Sequence, residues 1–453
     1  MAIAAAPALA VGEADRVWPP RWQAWLTIGL LFLASIVSVI DRQILSVVTD
    51  PVRAELSISD VQISLLQGIA FGLFYATMGV WLGLVADRTN RRNLIIAGIL
   101  LWSLATLGGG VAANFGQFFV SRMLVGLGEA ALSPAAISLI ADLFEPGRRG
   151  RPIGVFLMGQ AVANGIALSF AGAILKGAAA GHFASLPFIG LIAPWRLLFI
   201  LSGLGGALVG LAFFLTREPA RGTAVRAGGL GQQARHSVGF LVRNWRQFAG
   251  LYLGFAIYFL GAYGAGTWQV VFVSRHYGMS PAQVSLIFGP IAIAFGLAGP
   301  LVGGWLVDKV VGRSGIGGLL RMLSFVPLLA VPSALAVFAP NAKVAIFLVA
   351  TQAGCSAIVG SATLAYLQSA VPPELRGFSV SLTGLVNTLL GLALGPMLVA
   401  MTTQNILQDD SKVGWAIFWV AVPAFFLSAV LYGSARRAQR VRETGSVPEA
   451  LHA

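Results

Sequence analysis

The sequence predicts an all-α polytopic membrane protein of twelve transmembrane helices, arranged as two six-helix pseudo-repeat bundles. Three observations carry this. Of 453 residues, 57% are hydrophobic and only 10% charged, whereas about 25% of a soluble domain is charged. Twelve segments are apolar over the roughly 20 residues needed to cross a bilayer. Two short motifs recur, one copy in each half, at nearly one offset. The 55 glycines and 21 prolines fit such a chain, because small residues let helices approach closely in lipid and proline is tolerated there.

The segments fall at 22–49, 60–86, 92–112, 114–142, 151–176, 194–216, 244–275, 280–308, 317–339, 342–370, 376–403 and 413–435. The stretch 177–193 is apolar but rich in Gly and Pro, and reads as a loop. The longest polar stretch, 217–243, is basic and divides the chain into six plus six. The expected organisation is a tail 1–21, a bundle 22–216, a linker 217–243, a bundle 244–435 and a tail 436–453. The start lacks a basic region before its short apolar stretch and does not read as a cleaved signal peptide. With both termini in the cytosol, 22 of the 30 Lys and Arg lie on the inner side and six (Arg53, Lys176, Arg196, Arg275, Lys343 and Lys412) on the outer. This is the bias of the positive-inside rule, and it accounts for the net charge of +13 without nucleic acid. Residence in the cytoplasmic (inner) membrane is expected.

Duplication leaves sequence traces. Gly83 to Arg92 reads GLVADRTNRR, and Gly304 to Arg313 reads GWLVDKVVGR. Arg149-Gly150 follows the fourth segment and Arg376-Gly377 follows the tenth. These residues resemble the major facilitator superfamily, whose loop between helices two and three carries Gly, Asp and clustered basic residues. RMLVGLGEA, Arg122 to Ala130, is similar to that family's helix-four pattern. Asp41-Arg42 in the first segment, with Glu129 in the fourth, is similar to the spinster branch of lysolipid and sphingosine-phosphate transporters. An Asp-Arg pair also occurs in the organic anion:cation symporter branch. There Asn-Tyr precedes it, where this chain has Ser38-Val39-Ile40. The first resemblance implies an amphipathic lipid substrate and the second a small carboxylate.

Of the 17 acidic residues only Asp41 and Glu129 lie deep within spans. An ionisable group there costs at least about 2.5–3.5 kcal/mol to insert, so each needs a partner or a cavity. Both are candidates for proton coupling, against the alternative of a structural ion pair. Asp41, Arg42 and Arg122 are expected at one level, about 12 Å below the outer boundary, where Asp41 and Arg122 can meet. Arg122, Gly126 and Glu129 share a helix face, with Glu129 about 10 Å further in. Arg42 is the first candidate for a substrate phosphate or carboxylate, which guanidinium binds bidentately. Glu129 suits a substrate amine or a proton, and Arg122 is either a substrate ligand or the structural neutraliser of Asp41.

The second half has no deep charge at matching positions. Its candidate substrate contacts are neutral: Tyr263, Gln352 and Tyr366. Asp87, Arg88, Arg92 and Arg149, with Asp308 and Arg376 in the second half, are candidate gating residues on the inner face. Cys355 stands alone in an apolar run, so no intrachain disulfide can form. The four histidines lack metal-ligand spacing, and neither HExxH nor a phosphate-binding GxxxxGK[ST] occurs, which argues against a metalloenzyme or an ATP-driven pump. The chain is expected to be no enzyme and to need no cofactor. Its expected partners are a lipid or organic-anion substrate, protons and membrane lipids, and it is expected to act as a monomer.

Overall fold

The computed structural model describes residues 18–183, 185, 189–219, 239–372 and 375–445, without the side chains at 80, 84, 87, 146, 189 and 442–445. Among the described residues twelve helices are long and apolar enough to cross a membrane. They are α1 (Arg21–Val47), α2 (Asp60–Gly83), α3 (Arg91–Gly110), α4 (Phe115–Leu143), α5 (Gly150–Ala179), α6 (Pro194–Leu215), α7 (Trp245–Tyr277), α8 (Pro281–Ser314), α9 (Gly317–Phe338), α10 (Ala342–Ala370), α11 (Arg376–Ile406) and α12 (Asp410–Val441). Each matches a segment expected from hydropathy. The largest differences are at α8 and α12, which run past 308 and 435 as polar helix, because hydropathy marks the bilayer edge and not the last hydrogen-bonded turn.

Local chemistry sets the starts. Asn90, Asn114 and Asn341 each accept a hydrogen bond from the backbone N–H three residues on. Ser59 with Gln62 and Ser280 with Gln283 form reciprocal capping boxes. These bonds satisfy N–H groups that a helix start leaves open. Pro134 has no N–H for the carbonyl of Ala130, and α4 breaks there into Phe115–Glu129 and Leu132–Leu143. Glu129 therefore ends a helical piece at the middle of its span.

The two halves pack alike. In the first, α1 lies on α5, α2 on α4 and α3 on α6; in the second, α7 lies on α11, α8 on α10, and α9 on α12. One side-chain bond is repeated as well: Arg149 Nε donates to the carbonyl of Phe144 at 3.0 Å, and Arg376 Nε to that of Val371 at 3.2 Å. Leu208, Leu301, Trp305 and Val430 stay exposed, as a lipid-facing surface requires.

An even number of spans puts the two ends of the described chain on one face, called here the terminal face. The halves meet along α5–α8 and α2–α11. A Cβ on Gly165 would stand 2.5 Å from the Gly289 carbonyl, one on Gly296 2.1 Å from that of Ala161, and one on Gly68 2.7 Å from that of Ala393. These approaches, with Ser64 Oγ donating to the Pro396 carbonyl at 3.1 Å, lie between mid-span and the opposite face.

Candidate functional site

α1 carries Arg42 to within 2.9 Å of Glu129, Nε to Oε2. Ser38, one turn earlier, donates to the same carboxylate oxygen at 2.7 Å and accepts from Arg42 Nη2 at 2.8 Å. The guanidinium lies over Phe71 and Tyr75 of α2, 5.1 and 5.5 Å from the ring centroids. Cation–π attraction is strongest where water is excluded. Tyr263 of α7 is within electrostatic reach of Arg42, and Asn387 Nδ2 of α11 reaches its hydroxyl at 3.5 Å. The cluster thus sits at the seam between the bundles. Glu129 is 1% exposed there and Arg42 33%, so the cation is the accessible member of the pair. Glu129 Oε1 is buried and accepts no hydrogen bond within the described protein.

Asp41, the residue before Arg42, points the other way. Its carboxylate accepts from Thr106 of α3 at 3.1 Å and from Ser202 of α6. Arg122 does approach it, but donates to its backbone carbonyl at 3.2 Å. Asp41 and Arg122 are 0% and 1% exposed, inside the first bundle and behind the seam. The two helix-four charges are on the expected face, and Arg42 reaches across from α1 to the inner one.

Two expected substrate contacts lie elsewhere. Gln352 donates to the Ala262 carbonyl at 2.7 Å and accepts from Ser333. Tyr366 accepts from Gln247 and donates to Gln439. Both join helices inside the second bundle. Of the three, only Tyr263 is at the seam.

Among the described side chains, no ion pair joins the expected gating residues across the halves. Arg92 ties the start of α3 to Glu218 and to the Phe213 and Phe214 carbonyls. Arg149 and Arg376 make the local bonds described above, Arg88 and Asp308 are exposed, and the Asp87 side chain lies outside the described residues. A buried cation on this face is Arg91, 1% exposed, which pairs within the first half with Asp142 and, at 2.7 Å, with Glu218. It belongs to the Arg-Thr-Asn-Arg-Arg run, where periodicity does not tell which arginine turns inward.

The ion pairs described between halves are all on the opposite face. Arg53 pairs with Asp410 at 2.9 Å and Asp60 at 3.1 Å; Arg275 pairs with Asp50 at 2.5 Å and Asp60 at 2.9 Å. Asp60 is fully buried between the two arginines. Sequence reasoning placed Arg53 and Arg275 outside but assigned them nothing. The available signal was the presence of Asp50, Asp60 and Asp410 on a face otherwise poor in charge. Beside this cluster, Glu55 accepts from Trp195 Nε1 at 2.5 Å and Arg196 Nε at 2.8 Å. Burial raises its pKa, but these two donors outweigh it and hold the carboxyl below its ordinary value.

Two six-helix bundles, sealed at one face and enclosing a charged pair at mid-span, define a membrane carrier with a central site. The profile of the Major Facilitator Superfamily matches residues 31–396, and the chain belongs to that family, whose members are transporters and not enzymes. It is 27% identical over 428 residues to an MFS-type efflux pump of Mycolicibacterium smegmatis, covering 94% of this chain and 95% of the pump. It is 29% identical over 295 residues to a probable L-galactonate transporter of Escherichia coli, covering 62% and 61%. A crystal structure of a bacterial homologue of the lysosomal transporter spinster, inward-facing and unoccupied, superposes with TM-score 0.77 at 27% identity, covering 95% of this chain and all of that one.

Proposed function

We infer that the protein is a proton-dependent secondary transporter that moves an amphipathic anionic or zwitterionic lipid, such as a lysophospholipid or a sphingoid phosphate, by alternating access. The observation that carries this is the Arg42–Glu129 pair, with its partly exposed cation at the seam. An arriving phosphate or carboxylate can take the guanidinium bidentately. Glu129 is then a buried carboxylate without its cation, which a proton neutralises at far lower cost than leaving it charged. Substrate binding and proton uptake become one event. Phe255, Phe259 and Tyr263 form a stripe on α7 with ring centroids 4.7 and 5.4 Å apart. They lead from the seam toward the terminal face and offer an apolar track for an acyl chain.

The basic residues favour a cytoplasmic terminal face and an inner-membrane location. In that orientation the described state is closed to the outside. Its conversion requires the Arg53, Arg275, Asp50, Asp60 and Asp410 cluster to separate. Asp41 stays a candidate coupling residue, acting from inside the first bundle through Arg122.

A second reading, a proton-coupled symporter of small organic anions, is favoured by the likeness to the L-galactonate transporter. Thermal unfolding of the purified protein separates the two, because a ligand at 100 times its Kd stabilises by about 2.7 kcal/mol. A lysophosphatidate should raise the melting temperature and sugar acids should not. The reverse result selects the second reading.

A further inference from the structure

The terminal face carries a second cleft, far from the Arg42 pair. It encloses about 940 Å³ between the start of α1 and the α4–α5 loop, and its lining includes Arg21, Arg148 and Arg151 with Trp18 and Trp25. Trp25 packs edge-on against Phe144 at 5.6 Å, over buried Ala24 and Leu143. Among the described residues the one acid lining it is Glu145, 3.4 Å from Arg148, so the described lining carries more cation than anion. Trp22 and Trp25 are 65% and 42% exposed in the first turns of α1, where interfacial tryptophan sits at headgroup level. Gly147 and Gly150 lie in the rim with open space where a side chain would be.

We propose that this cleft is a binding site for the phosphate headgroup of an anionic phospholipid from the leaflet at the terminal face. Basic pockets between transmembrane helices take such headgroups. The aromatic rim assigns the ligand to the membrane and not to a soluble phosphate, because tryptophan at the start of a span contacts lipid. The site joins α1, which carries Arg42, to the α4–α5 connection, so an occupied cleft ties together two elements that bear the central pair.

The test is thermal unfolding in detergent with dioleoylphosphatidylglycerol, dioleoylphosphatidylcholine or soluble glycerol phosphate, on wild type, R21Q/R148Q/R151Q and R21K/R148K/R151K. Wild type should prefer phosphatidylglycerol over phosphatidylcholine by roughly tenfold or more in half-saturating concentration. The Gln variant should lose that preference and the Lys variant keep it. Equal stabilisation by glycerol phosphate would overturn the membrane assignment, and an unchanged preference in the Gln variant would overturn the site. Should the Gln variant not fold, dibromo-phosphatidylglycerol quenching of wild type and Trp25→Phe decides: quenching that does not fall in Trp25→Phe overturns the proposal.

Discussion

Arg42 Nε lies 2.9 Å from Glu129 Oε2, and Ser38 bonds to both side chains. Glu129 and Ser38 thus already engage the guanidinium, and any anionic substrate must compete with Glu129 for it. Arg42→Ala is expected to abolish binding of phosphate ligands while leaving Glu129 buried without its cation. Removing one partner of a desolvated charge pair typically costs about 2–5 kcal/mol, roughly 30-fold to several-thousand-fold in affinity. Where a lysolipid carries an amine, that cation takes the place of Arg42 beside Glu129 and stands in for the proton, so Glu129→Gln should weaken amine-bearing lysolipids more than amine-free ones. Equal losses would make Glu129 a proton site only.

Asp60 is the shared acid of the opposite-face cluster. Asp60→Asn leaves Arg275 and Arg53 facing one another with less compensation, and breaking a buried pair typically costs about 3–5 kcal/mol. The expected outcome is a shift of the population toward a state open at that face. Introduced single cysteines, made after replacing Cys355, should label faster from that side. Unchanged labelling would mean that the cluster is decoration and not a lock.

Gly296 has no room for a methyl group, whose carbon would stand 2.1 Å from the Ala161 carbonyl. Gly296→Ala should destabilise by about 1–3 kcal/mol through overpacking, or open the α5–α8 seam. Wild-type stability together with wild-type accessibility contradicts the close approach.

Arg91→Ala removes the buried cation that holds Asp142 and Glu218. A loss of about 3–5 kcal/mol in unfolding stability is expected, with Arg88→Ala, at an exposed position, near neutral.

The Glu55 carboxyl is held below its usual 4.5 by Trp195 and Arg196. A depressed acid contributes stability that is present above its unfolded pKa and is lost as pH falls through the folded one. The tie should therefore contribute in full at neutral pH, contribute less as pH falls below 4.5, and be lost once pH has passed the lower folded value. Glu55→Gln should flatten the acid limb of the melting curve. An unchanged limb would place the acid sensitivity elsewhere.

Helix number and order, the duplication and the two deep acids were legible because bilayer thickness imposes a length and a composition that any sequence displays. The direction in which a deep side chain points was not. Asp41 and Arg42 are neighbours, yet one turns into the first bundle toward Ser202 and the other to the seam. Only the packing of α3, α4 and α6 decides this. Gln352 and Tyr366 looked like cavity polar groups, but a polar residue in lipid is satisfied as well by a neighbouring carbonyl. The pairing of Arg275 with Asp50 and Asp60 spans more than 200 residues, and no local pattern encodes it.

The central claim is that substrate replaces Glu129 on Arg42 and that Glu129 then takes a proton. Proton exchange on ligand addition tests it directly, with purified protein in weakly buffered detergent near pH 7, a pH-sensitive dye and saturating lysophosphatidate. The predicted result is uptake of about one proton per bound ligand, as expected for a buried carboxylate that has lost its cation, absent in Glu129→Gln although that variant still binds. Binding without uptake in wild type, or uptake that persists in Glu129→Gln, would contradict the account.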